Sequence, residues 1–126
     1  MINKTQGQAV LRIALGLFFI IPGLSKLMNP AGITGMLSGL GFPAATLFAW
    51  ILLLSEIIFG ASLLIGYKTK IAVWPLSIIL VVAIILVVIP GFDFSNSQSV
   101  MTLLWHLVGL AGLISIGSVG PGKILN

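Results

Sequence analysis

Residues 44–89 read AATLFAWILLLSEIIFGASLLI, then GYKTK, then IAVWPLSIILVVAIILVVI. Two apolar runs, 44–65 and 71–89, flank the five-residue basic turn Gly66–Lys70. Each run is close to the roughly 17–25 residues with which an α-helix crosses a hydrocarbon core about 30 Å thick. Neither run alternates with period two, and in lipid only helices or closed barrels satisfy every backbone group. A turn this short makes the two helices antiparallel neighbours. The segment reads as a transmembrane helical hairpin.

Working outward, two further apolar stretches fit the same template, at about 9–27 and 100–116. Pro90-Gly91-Phe92-Asp93-Phe94-Ser95-Asn96-Ser97 is a turn-rich polar link between the third and fourth stretches. Gly117, Gly120, Pro121 and Gly122 end the last helix. Asn29-Pro30 reads as an N-cap followed by proline at the first helical position. Ile33, Met36, Leu37 and Leu40 follow at helical spacing until Gly41, which predicts, between helices one and two, a short helix lying in the outer membrane interface over the bundle mouth, with a disordered loop as the alternative. The first stretch is too long for the apolar part of a cleavable signal peptide, and no small-x-small site precedes a polar mature domain. The expected fold is therefore all-α: one domain spanning 1–126, a four-helix integral membrane bundle.

Composition agrees. Of 126 residues, 59% are hydrophobic and only 6% charged, and the mean hydropathy is +1.25. A soluble domain carries roughly a quarter of its residues as charges, so a lipid bilayer is the expected solvent for most of the surface. The net charge of +4 is scattered, without a basic run or aromatic interleaving, so no nucleic-acid partner is expected. Lys4, Arg12, Lys68, Lys70 and Lys123 fall on one side, and Lys26 on the other, near Asp93. The positive-inside rule then places both termini in the cytoplasm, in a multi-pass protein of the cell membrane.

Charges inside apolar helices cost several kcal/mol unless paired or hydrated. From a rise of about 1.5 Å per residue, Arg12 lies about 5 Å from the cytoplasmic end, Glu56 about 15 Å and His106 about 17 Å. Glu56 and His106 thus share a depth near the midplane, with Arg12 within partial reach. A carboxylate in hydrocarbon must protonate or find a donor. The expectation is a polar spot where helices one, two and four meet. On helix one, Arg12, Gly16, Phe19, Gly23 and Lys26 form a single stripe. On helix two, Glu56 and Gly60 are one turn apart, and helix four carries Ser99, Thr102, His106 and Gly109 along one face. Pro22 and Pro75 are expected to bend helices one and three.

The candidate ligand-binding residues are Arg12, Glu56 and His106, with Phe19 and Trp105 nearby. Plainer readings stand beside these: Arg12 as a snorkelling anchor, Glu56 as a structural polar clamp, His106 as a hydrogen-bond partner for Glu56, Trp105 as packing. Lys26 reads first as an interfacial anchor and second as a site residue. With no cysteine and one histidine, the chain lacks the ligands for a structural zinc, an iron–sulfur cluster or a bis-histidine haem, so no metal is expected. No phosphate loop or Ser–His–Asp set exists. What the residues allow is a pocket for an apolar molecule with a polar head, such as a quinone or a lipid. The glycine-rich faces also permit a homo-oligomer.

Several pieces resemble one family. The run Arg12-Ile-Ala-Leu-Gly16-Leu-Phe18-Phe19-Ile-Ile-Pro22-Gly23-Leu-Ser-Lys26-Leu is similar to the first-helix signature of the DoxX family of small membrane proteins. Gly41-Phe42-Pro43, Glu56-Ile-Ile-Phe-Gly60, Gly66-Tyr67-Lys68-Thr69-Lys70 and His106 fit the same pattern in order and spacing. The resemblance implies a four-helix membrane bundle. The family takes its name from a subunit of an archaeal thiosulfate:quinone oxidoreductase, and relatives are linked to membrane redox complexes. It therefore implies an accessory or quinone-interacting subunit of a redox system, with no cofactor of its own beyond quinone and with electrons coming from a partner subunit. Distant eukaryotic relatives look like trafficking receptors or assembly chaperones, so the alternative is a non-enzymatic chaperone, assembly factor or transporter of small molecules or lipids.

Overall fold

The computed structural model describes residues 3–123, and all regular structure among them is helical. In chain order the helices are α1 (Lys4–Met28), α2 (Pro30–Gly39), α3 (Ala45–Ile65), α4 (Thr69–Ala83) and α5 (Ser97–Val119). A π-helical turn, Ile84–Val88, extends α4. Four helices of 25, 21, 20 and 23 residues, the third including the π turn, are long and apolar enough to cross a membrane.

Local chemistry sets the ends. α1 starts five residues before the apolar stretch because Asn3 and Gln6 form a reciprocal capping box: the Gln6 N–H donates to Asn3 Oδ1 at 2.9 Å, and the Asn3 N–H to Gln6 Oε1 at 3.2 Å. α5 starts at Ser97 because the Asn96 side chain accepts from the Gln98 N–H at 3.0 Å. The α3–α4 turn is tight: Gly66 and Lys68 both take positive φ, 79° and 49°. At the other end of α4 the Ile89 N–H reaches back five residues to Ile84 O at 2.9 Å. Pro90 follows, and it has no N–H with which to complete an ordinary α-turn. Pro22 and Pro75 lie inside helices that run on through them.

Chain order is also the packing order. α1 packs on α3, α3 on α4, α4 on α5, and α5 closes back on α1; the backbones of the diagonal pairs, α3 with α5 and α1 with α4, stay more than 8 Å apart. The centre of this ring is filled by apolar side chains, among them Leu15, Phe19, Leu63, Leu76, Leu113 and Ile116. α2 lies over the end of α3 distant from the termini, burying Ile33 and Leu37 against Ala49 and Leu53. Outward faces carry large exposed apolar residues such as Ile65, Trp74 and Val108. That is the inverse of a soluble bundle, and it is what lipid as solvent requires. The short helix expected between helices one and two is therefore present as α2.

Candidate functional site

The α1 stripe folds as one continuous seam against α3. Arg12, Gly16, Phe19 and Gly23 are buried. An ideal Cβ on Gly16 would lie 2.9 Å from Leu64 N and 3.0 Å from Gly60 O, so the two backbones meet there. A Cβ on Gly23 would lie 3.2 Å from Glu56 Cβ. These contacts fix an antiparallel register in which Glu56 stands opposite Gly23.

Glu56 is 4% exposed, and its Oε1 accepts from Lys26 Nζ at 2.5 Å in an ion pair. Side chains on a helix lean toward its N-terminus. Lys26 therefore leans back one turn toward Gly23 and meets the carboxylate instead of running outward to headgroups. Lys26, expected first as an interfacial anchor, is thus also the ion-pair partner of Glu56 while its side chain stays 29% exposed.

Arg12, 7% exposed, sits at the opposite end of the seam. Its Nη1 donates to Leu63 O at 2.7 Å and Leu64 O at 3.0 Å, and its Nε donates to Pro121 O at 3.0 Å. The first two carbonyls belong to the last turn of α3, where carbonyls lack intrahelical partners and the helix dipole favours a cation. Arg12 is thus a clamp joining α1, the end of α3 and the segment after α5.

The expected meeting of Glu56 with Arg12 and His106 does not occur. Arg12 binds α3 at Leu63–Leu64, about 11 Å along the helix from Glu56 at 1.5 Å per residue. His106 lies on α5, which stands diagonally across the ring from α3. Equal depth did not mean adjacency. The polar groups instead close in separate places, and no described buried side-chain polar atom is without a partner.

His106 has a different setting. It is half-buried, with Nδ1 2.7 Å from Thr102 O on its own helix. A carbonyl can only accept, so Nδ1 carries the hydrogen, and in the neutral ring Nε2 is left as an acceptor. Nε2 has no protein partner among the described residues. One residue before it, Trp105 is exposed and stacks on Phe18 of α1, with centroids 6.2 Å apart and planes at 21°. Phe19 instead turns into the core at 2% exposure, edge-on to Phe18 at 5.2 Å. Of the expected ring pair, Trp105 is on the α1–α5 outer face and Phe19 is not; Phe18 takes that place. A small open cleft of about 230 Å³ lies between the π turn that extends α4 and the start of α5, lined by Val87, Val88, Asn96, Ser99 and Thr102.

Sequence reading also missed a polar latch. Gln8 Nε2 donates to Ser115 O at 3.2 Å and Gly120 O at 3.0 Å, while Ser115 Oγ donates to Gln8 Oε1 at 3.1 Å. The signal was available as Gln8, a polar residue at the edge of an apolar helix, but it named no partner. Asp93, in the loop before α5, accepts from the Ser95 N–H at 3.0 Å and hydroxyl at 2.7 Å; these bonds hold its carboxyl below the usual range. No group of three His, Cys, Asp or Glu side chains suited to a metal exists among the described residues.

Four apolar helices in a closed ring, with their few charges clamped along internal seams, define a small polytopic membrane protein. More particularly, the chain belongs to the DoxX family, whose model matches residues 7–89. That match covers α1 to the end of α4 and leaves α5, with His106, outside it. The chain is also similar to the uncharacterized membrane protein Rv3486 of Mycobacterium tuberculosis, 39% identical over 77 residues, or 60% of this chain and 47% of that relative. It thus spans about half the length of the curated relative it matches. No solved structure matches it.

Proposed function

We propose that this DoxX-family protein is an accessory subunit of a membrane redox system that holds the head of a quinol at His106 on α5. The observation that carries this reading is the Nδ1 bond from His106 to Thr102 O, which leaves Nε2 of the half-buried neutral imidazole as an acceptor without a protein partner among the described residues. A hydroquinone hydroxyl can donate to that nitrogen; a quinone carbonyl cannot. Glu56 and Lys26 serve the fold in this reading, and electrons pass to a partner subunit.

The test is binding of short-chain menaquinol and menaquinone to the purified protein under anaerobic conditions. The quinol is expected to bind more tightly, and His106→Ala to weaken it about tenfold, the value of one good hydrogen bond. Equal binding of the two forms, or an unchanged His106→Ala, removes the proposal. A second reading, a non-enzymatic assembly factor or transporter, draws support from the closure of Arg12, Glu56 and Lys26 on internal partners. It expects neither form to bind.

The proposal includes the orientation drawn from the basic residues, with both termini cytoplasmic in the cell membrane. The chain has no cysteine, so a single introduced thiol reports one position. Ser95→Cys is expected to react with a membrane-impermeant maleimide on intact cells and Lys68→Cys only after lysis; the reverse pattern inverts the topology.

A further inference from the structure

Among the described residues, Arg12 is a buried cation with no anionic partner. Its three acceptors are neutral carbonyls, and the chain's two acids are elsewhere: Glu56 is held by Lys26, and Asp93 lies in the loop at the far end of the bundle. A guanidinium satisfied only by dipoles leaves a net positive charge in a poorly solvated place, and the nearest anion gains by it. Directly beyond Pro121, whose carbonyl takes the Arg12 Nε, lies an open cleft of about 600 Å³. It runs between the first turns of α1 and the segment following α5, lined by Lys4, Thr5, Gln8 and the stretch Val119–Lys123. Lys123 is fixed there by its N–H, which donates to Thr5 O at 3.1 Å. Two exposed lysines therefore line one concave site, with a guanidinium behind its wall and no Asp or Glu among the described residues that line it.

We propose that this cleft binds a phosphoryl group, with Lys4 and Lys123 as its charge partners and Arg12 as a fixed positive background. In a membrane protein the phosphodiester of an anionic phospholipid is the nearest source, since headgroups lie at the level where apolar helices end; a soluble phosphate ester offers the same chemistry. A lysine beside anionic headgroups strengthens attraction by about fivefold, so the pair should matter by at least an order of magnitude. This inference does not depend on the quinol reading, because the cleft is at the opposite end of α5 from Thr102.

Native mass spectrometry of the detergent-purified full chain tests it, with added dioleoylphosphatidylglycerol, dioleoylphosphatidylcholine or sn-glycerol 3-phosphate. The expected result is retention of the phosphatidylglycerol over the phosphatidylcholine, reduced about tenfold in Lys4→Gln/Lys123→Gln. Lys68→Gln/Lys70→Gln removes the same charge from the same face outside the cleft and should retain wild-type binding. Binding of glycerol phosphate that displaces the lipid supports the site and assigns it a soluble ligand. Equal losses in both double variants reduce the effect to diffuse surface charge and overturn the proposal, as does indifference to all three probes. Thermal unfolding of each variant separates lost binding from lost fold.

Discussion

Lys26→Met should lower the unfolding free energy by about 3 kcal/mol, the low end of the range for breaking a buried ion pair because Lys26 is partly exposed. The loss comes less from the missing attraction than from Glu56, which would remain 4% exposed with nothing to accept from. The companion experiment is Lys26→Met/Glu56→Leu. Removing both charges leaves an apolar seam in an apolar solvent, and the double variant should recover to within about 1 kcal/mol of the parent. Unfolding in detergent, followed through the three tryptophans, reads both. A double variant as weak as the single one would mean that the pair supplies net stability and is more than a way of burying two charges safely.

The second large effect is expected at Gly16. A methyl there would press on Leu64 N, Leu64 Cα and Gly60 O, at 2.9–3.0 Å. All three are backbone atoms, so no rotamer change relieves the contact; α1 and α3 must move apart. Overpacking a tight core site costs about 1–3 kcal/mol, and Gly16→Val should meet or exceed the top of that range. Separation would also draw Lys26 away from Glu56 along the same seam, so the two lesions should be non-additive. Gly35→Ala is the control. Gly35 lies in α2 with nothing within 4 Å of its would-be Cβ, and the helix-propensity gain of up to about 1 kcal/mol should appear as a small stabilisation. If Gly16→Ala behaves like Gly35→Ala, the close approach of α1 and α3 is wrong.

The helices were legible because the bilayer imposes a length and a hydrophobicity that chance rarely supplies together. Asn29-Pro30 and Gly41 likewise revealed α2 through backbone chemistry alone. The candidate site was legible only in part. Arg12, Glu56, Lys26 and His106 stood out because ionisable groups in lipid are costly, but who meets whom depends on the arrangement of helices around the ring. Depth along the membrane normal carried no information about which helices are diagonal, so Glu56 was assigned to His106 across a centre filled by Leu15, Phe19 and Leu76. The missing clue was in the glycines. Matching Gly16 to Gly60 sets an antiparallel register that puts Glu56 opposite the turn containing Gly23, and the backward lean of Lys26 completes the pair. The π turn at Ile84–Val88 had no such signal beyond the Pro90 that follows it.

A ring in which each membrane helix packs on its neighbours in sequence can be assembled by the ribosome in the order of synthesis, one hairpin after another. Two joints, those of α5 with α4 and with α1, must wait until α5 itself has been made. A nascent chain halted before Ser97 already owns the Glu56–Lys26 pair, but Gln8 and Arg12 still lack Ser115 and Pro121. Quality-control proteases would find such a truncated product open along one side, with polar groups facing oil, and that exposed flank distinguishes it from the finished molecule.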